Sequence, residues 1–337
     1  MEPGCPRPGE TRRGCRVPIK NKRFRLGARV RGRKSARLPA VFYAFLTTLL
    51  FAVSSVLAHK SQQAVGPARA NLGRLTVGLI FLGAWAHLFG GGLHGAALPD
   101  FLWSGLLGMG VGDLAFFAAL PFLGSRLTTT MNQCLSVPVA IFIEWLWLGT
   151  TLTGAQFACI GVVLGGIIVA LMPTKKDPPK VRVRPVGVLL GFIAAVGQGA
   201  GAVFSRRAFG LAAAAGEHVD GVTAAYQRIV GGIALTLLWF GCKYWLDRRR
   251  EIPTGPPPPA RAHWWIAIHA LSGPVLGMSM FQLALAHTPS GIVLPITACT
   301  PLAIIPLTYW LEGERPSKRS LVGGALAVSG AVALTLV

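Results

Sequence analysis

The chain carries an internal repeat. The run Ser136-Val137-Pro138-Val139, through Leu148-Gly149 to Gly166-Ile167-Ile168-Val169, is echoed by Cys299-Thr300-Pro301-Leu302, through Leu311-Glu312-Gly313 to Gly330-Ala331-Val332-Ala333, at an offset of about 163 residues. The echo reaches further back. Trp103 to Leu123 aligns with Ile266 to Ala286, which brings Gly110 over Gly273, and Arg69-x3-Gly73 resembles Arg228-x3-Gly232. A repeat of this length requires two structural units of one kind that pack on each other.

The medium of those units follows from composition. Of 337 residues 52% are hydrophobic and 13% charged, roughly half the charged fraction of a soluble domain. Apolar runs long enough to cross a bilayer can be drawn at 39–58, 72–90, 101–122, 126–148 and 152–172 in the first copy. The second copy has them at 185–205, 222–245, 264–286, 290–311 and 319–337. The expected fold is therefore an all-α membrane protein of ten transmembrane helices. Five crossings per copy is an odd number, so the copies would lie in the bilayer as two inverted five-helix repeats. That arrangement places a substrate between the copies near the midplane.

Domain boundaries fall at 1–37, a basic tail that is expected to be disordered or not native; 38–173, the first repeat; 174–184, a basic linker; and 185–337, the second repeat. The tail holds 13 of the 33 Lys and Arg residues that give a net charge of +21. Outside it, Lys and Arg gather near 60–74, at 126, and near 173–184, 243–261 and 315–319, while the opposite side carries only Arg206 and Arg207. Cytoplasmic connections collect basic residues, so these loops are expected inside the cell and both termini outside. A basic surface on a membrane protein points to anionic lipid headgroups before nucleic acid. Gly255-Pro256-Pro257-Pro258-Pro259 reads as a stiff exposed connector. The six cysteines lack metal-ligand spacing and read as small packing residues. The glycine series Gly105, Gly108 and Gly112, the pair Gly161 and Gly165, and the set Gly187, Gly191, Gly197 and Gly201 are expected to bring helix backbones close together.

Polar groups in hydrocarbon are costly, and each needs a partner or a task. Asp113 lies near the middle of the third span. It is either a proton-binding carboxylate or a ligand for a cationic group, or else a structural hydrogen-bond partner for Thr128, Thr129, Thr130 or Arg126. Asn132 and Gln133 in the fourth span, Gln198 in the sixth and Gln282 in the eighth would line one cavity with it if the halves face each other; interhelical hydrogen bonding is the other reading of each. Pro138 and Pro301, repeat-related, are candidates for helix kinks or gating, since proline removes an intrahelical hydrogen bond. Glu144, beside Trp145 and Trp147, is expected to reach out to the interface. Arg228 is read as an interface anchor, and Glu312, Glu314 and Arg315 as an ion-pair latch between the last two spans.

Leu311-Glu312-Gly313-Glu314-Arg315-Pro316, followed by Leu321-Val322-Gly323-Gly324-Ala325 and Gly330, resembles the closing signature of EamA-type transporters of the drug/metabolite transporter superfamily. The first copy has the matching Pro138, Leu148-Gly149 and Gly166, with Thr150-Thr151 where Glu-Arg would stand. Gly112-Asp113-Leu114-Ala115-Phe116-Phe117-Ala118-Ala119-Leu120 with Gly124-Ser125-Arg126 resembles one branch of that family. The resemblance covers about residues 40–337. It implies ten helices in two inverted repeats and alternating access without nucleotide hydrolysis. Members move amino acids, nucleobase-like metabolites, sugars and drugs.

Neither a phosphate-binding Gly-rich loop nor a metal-ligand or nucleophile motif occurs. The expected function is thus secondary transport of a small metabolite, with protons as a possible coupling ion, and with no catalytic residue, cofactor, metal or nucleic-acid partner. The expected place is a bacterial inner membrane. The alternative is a receptor-like or enzymatic membrane protein built on the same bundle.

Overall fold

A computed structural model describes residues 34–171, 183–249, 260–312 and 318–337. The first copy begins with α1 (Lys34–Val65) and α2 (Pro67–Leu88). It continues with α3 (Leu98–Gly105), a π-helical segment (Leu106–Gly112), α4 (Asp113–Leu148) and α5 (Gly154–Leu171). The second copy begins with α6 (Pro185–Ala214) and α7 (Gly221–Arg249). After them come α8 (Ala260–Ala270), a second π-helical segment (Leu271–Gly277), α9 (Met278–His287), α10 (Ser290–Thr297), α11 (Thr300–Glu312) and α12 (Lys318–Leu336). No strand occurs among the described residues. Most of the tail, most of the linker, the polyproline connector and the Glu314–Arg315 cluster lie outside them.

Seven helical stretches are long and apolar enough to cross a membrane, and α5 and α12 contribute two shorter ones. Lipid offers no hydrogen bonds, so a helix must satisfy its own backbone. Side-chain hydroxyls are absorbed the same way. Thr47 and Ser55 donate to carbonyls one turn back, and Thr48 donates both to Ala44 and across to the Ile296 carbonyl at 3.1 Å. The helix α4 ends where Gly149 takes the left-handed conformation, φ 67°, which a side chain would strain.

Helical hydrogen bonding runs through 98–148, yet the chain doubles back within it. Phe122 and Leu123 lie against Gly187, and Met131 against Gly191, near the start of α6; Ser104 lies against Gly201 and Ser136 against Gly199 further along. Two limbs therefore flank α6 in opposite directions, and the reversal falls between Leu123 and Met131, just after Pro121. These are the third and fourth expected spans. The counterpart is α1, packed against the second copy. Ser54 sits beside Gly273 and Phe51 beside Gly277, Ser61 Oγ is 3.3 Å from His269 Nδ1, and Thr48 reaches α10. Each copy thus inserts its first helix into the crook of the other copy's third and fourth spans.

Repeat-related helices meet antiparallel. On α2 and α7, Gly78 packs on Ile229 and Gly83 on Tyr226. Of these two pairs, α5 and α12 approach more closely. A Cβ at Gly166 would stand 2.7 Å from the Gly323 carbonyl oxygen, and one at Gly323 would stand 2.6 Å from the Gly166 carbonyl oxygen. Only hydrogen fits there, and bare backbone gives dispersion contact where lipid supplies no hydrophobic drive. The glycines expected to make this contact, Gly161 and Gly165, have nothing within 4 Å of such a Cβ. The packing stripe of α5 is one residue further round, and a periodicity of small residues cannot by itself choose between adjacent faces. The other glycine sets do pack, on α6 and around the first π-helical segment.

The ninth span, 290–311, is broken. Helix α10 stops at Thr297 and α11 begins at Thr300. Pro301 stands second in α11, where its missing N–H costs nothing. Pro138 sits within the limb of α4 that follows the reversal, with no break at it. The repeat-related prolines therefore do different things, and only the second accompanies a break.

Candidate functional site

Between the two copies lies a cavity of about 220 Å³. Asp113, Asn132, Gln133 and Gln198 all line it, and Gln282 does not. Gln282 is wholly buried on α9, where its amide N–H meets Met278 Sδ at 3.8 Å and its Oε1 has no partner. Ser54 and Ser55 from α1, His269 from α8 and Thr300 from α11 complete the polar wall, and Phe51, Phe116, Phe117 and Met278 give the apolar one.

The sharpest contact is an ion pair. Arg74 on α2 holds Asp113 Oδ2 at 2.5 Å through its terminal nitrogen, and its Nε donates to Asn71 Oδ1 at 2.8 Å. Arg74 is thus the ionic partner of Asp113; the side chain of Arg126, another expected partner, lies outside the described residues. The charge pattern puts Arg74 in a basic connection; the structure places it inside α2, on the cavity wall. Both side chains are partly accessible, 17% for Arg74 and 26% for Asp113. Both line the cavity, where an entering molecule can reach them.

A second arginine stands behind the wall. Arg228 on α7 is 1% exposed, and it is no interface anchor. Its NH1 is 3.4 Å from Ser205 Oγ, its guanidinium lies 5.7 Å from the Phe281 ring centre, and its Nε has no partner. Gly105 and Gly108 make the room: a Cβ at Gly108 would stand 2.5 Å from Arg228 NH2. Arg69, its counterpart in the repeat, is exposed. The two counterparts carry the same charge and differ in burial.

The π-helical segments occupy equivalent places. Each is seven residues long, and they are followed at once by Asp113 and Met278, both on the cavity wall. π-helical turns occur mostly at functional sites. They widen the helix and turn its backbone where two copies face each other.

A larger groove, about 620 Å³, lies between α4 and α5 and is lined by Pro138, Phe142, Trp145, Phe157 and Gly161, with Thr150 and Thr151 at its rim. Its walls are almost wholly apolar, and no ionisable group lines it. It offers a polar substrate little to bond, so the smaller, polar cavity is the candidate site. Pro138 belongs to this groove and Pro301 lies buried next to the cavity residue Thr300.

A family model described as the EamA-like transporter family matches residues 38–172 and again 185–336, the two copies of the repeat. The chain belongs to the EamA-like transporter family. It is an integral, multi-pass membrane protein of a transporter superfamily. One solved crystal structure superposes with a TM-score of 0.67 at 21% identity, covering 90% of this chain and 98% of its own, which supports the fold alone. No curated protein matches the chain.

In this EamA-like bundle the cavity sits toward one end, among Ala58 near the end of α1, Arg74 near the start of α2 and His269 near the end of α8. The opposite end is tied across the copies. Glu144 is not at the interface but 2% exposed, and it accepts from Ser290 N at 2.9 Å, from Ser290 Oγ and from Gly291 N at 3.4 Å. Those are first-turn donors of α10, which have no intrahelical acceptor. Arg206 Nε lies 3.7 Å from Glu144 Oε1, and its NH1 donates to the Leu285 carbonyl at 2.9 Å. Arg207 pairs with Asp100 at 2.8 Å and lies 4.4 Å over Trp147. Gln227 donates to the Gly92 and His94 carbonyls, and Glu217 accepts from Ala96 N. Arg206 and Arg207, counted as loop charges, are thus interior residues of α6, and the charge asymmetry between the two sides becomes larger without them.

Proposed function

We propose that this protein is a secondary transporter that moves a small metabolite by alternating access, coupled to protons through Asp113. The observation that carries the reading is the convergence of Asp113, Asn132, Gln133 and Gln198, from both copies, on one cavity between them. The antiparallel meeting of α2 with α7 and of α5 with α12 supports ten spans in two inverted five-helix repeats. In that reading the two copies rock about the cavity. The end tied by Glu144, Asp100 and Gln227 is the closed gate, and the end bearing the basic loops is the open one. Those loops face the cytoplasm and its anionic headgroups, in a bacterial inner membrane. Pro301 and the break before it form the hinge of the second copy.

Alternating access predicts that the two ends of the cavity exchange accessibility. The decisive experiment reconstitutes the full chain in proteoliposomes and follows lumenal pH with an entrapped dye while candidate metabolites are added outside. A substrate-dependent proton flux is expected, and Asp113→Asn should abolish the flux while leaving membrane insertion intact. Substrate uptake with the same pH dependence in Asp113→Asn and wild type would remove the carboxylate's role.

A further inference from the structure

Arg74 and Arg228 set a charge imbalance that the mechanism above does not use. Asp113 is within electrostatic reach of both guanidiniums and hydrogen-bonds one of them. Among the described residues it is the single carboxylate on the cavity wall. A guanidinium stays charged at every accessible pH, and an isolated charge in the membrane interior is costly. Arg228 is the more demanding of the two, being buried, with a partnerless Nε, a hydroxyl at 3.4 Å and a ring beside it. The other groups facing Asp113 across the cavity do not restore balance. The helix α1 offers Ser54 and Ser55, α4 offers Asn132 and Gln133, α6 offers Gln198, α11 offers Thr300, and α8 offers His269, bonded to Ser61.

Resting on the transport reading, we propose that the cavity takes a small organic anion bearing one carboxylate, held by Arg74 once Asp113 has taken up a proton. A proton from water adds to an Asp113 carboxylate oxygen. Arg74 then turns its N–H from Asp113 to the substrate carboxylate, and no covalent bond to carbon forms or breaks. One negative charge and one proton enter together, so the chamber carries the same net charge empty and loaded, and translocation is electroneutral. Arg228 stays in place behind the wall as a fixed positive field. A cation would have to strip Asp113 from Arg74 and leave two guanidiniums with no counter-charge. The amides and hydroxyls supply further donors to the anion, and Phe51, Phe116 and Phe117 suit a compact apolar body. The cavity lies below the roughly 300–1,000 Å³ of drug-sized sites, which excludes large substrates.

The test is a titration of the purified full chain, in nanodiscs, with benzoate, benzamide and benzylammonium, which are of similar size, and with the larger, zwitterionic phenylalanine. Benzoate is expected to bind at least about tenfold more tightly than the other three at about pH 5.5, and about tenfold more weakly at about pH 8. Arg74→Gln should lose benzoate. Asp113→Asn, which mimics the protonated carboxyl, should bind it equally at both pH values, and this arm stands even if the arginine variant fails to fold. Absence of benzoate binding, equal or tighter binding of any other probe, or unchanged benzoate affinity in a folded Arg74→Gln protein overturns the proposal. Benzoate binding without benzoate flux into proteoliposomes would keep the anion site and remove the transport reading. Flux of benzylammonium alone would do the reverse.

Discussion

Glu144→Ala should open the tied end of the bundle. The carboxylate is buried, and it accepts the N–H and O–H of Ser290 and the N–H of Gly291. Its loss strands at least two buried donors, each costing about 1–3 kcal/mol. Arg206 loses its carboxylate but keeps the Leu285 and Ala286 carbonyls and some solvent, so its share is small. A net cost of about 3 kcal/mol is expected, which weights the closed arrangement down by roughly 150-fold. The readout is a cysteine at position 288, in a background without native cysteines. Thr288 is 6% exposed and its hydroxyl has no partner, so the cysteine costs little. Reaction of Thr288→Cys with a membrane-impermeant maleimide should accelerate by about one to two orders of magnitude when Glu144→Ala is added. Glu144→Gln, which keeps an acceptor oxygen, should fall between. An unchanged reaction rate together with unchanged thermal stability would refute the assignment of Glu144 as a tie across the copies.

Gly166→Leu should disrupt the α5–α12 contact, because a side chain there meets the Gly323 carbonyl; loss of about 1–3 kcal/mol is expected, read as a lowered melting temperature in detergent, while Gly165→Leu, in open space, should change it little. Pro301→Ala should slow turnover more than it weakens binding, as the break before α11 heals, whereas Pro138→Ala, on the outer groove, should alter neither strongly; flux and titration separate the two. Arg228→Met removes a buried cation and should leave the fold at least as stable, but reduce benzoate affinity severalfold in the nanodisc titration.

The sequence made the bundle legible because a bilayer simplifies the problem. Apolar length defines spans, and a repeat of odd span number defines how copies relate. The polar residues Asp113, Asn132, Gln133 and Gln198 could be picked out for the same reason, since each is conspicuous in an apolar run. What escaped were residues whose meaning depends on the partner. Arg74 stands near a span end and looks like a loop charge until α2 is placed beside Asp113. Arg228 and Glu144 are also near span ends, where reaching for water is the ordinary solution; only the packing of α6, α9 and α10 denies them that route. The signal available for Arg74 was its position after Gly73 in a stretch that is apolar on the far side. The π-helical segments had no such signal, because an i→i+5 pattern leaves no mark on hydrophobic periodicity.

Those two segments have a mechanical consequence. A π-helical turn stores one surplus residue, and such a surplus behaves like a dislocation in a lattice: it can migrate along the coil without unwinding it. Each step of migration swings the side chains it passes by roughly 100° about the axis. With one dislocation in each half, immediately ahead of Asp113 and Met278, the chamber can be re-faceted by two matched rotations without either helix unwinding.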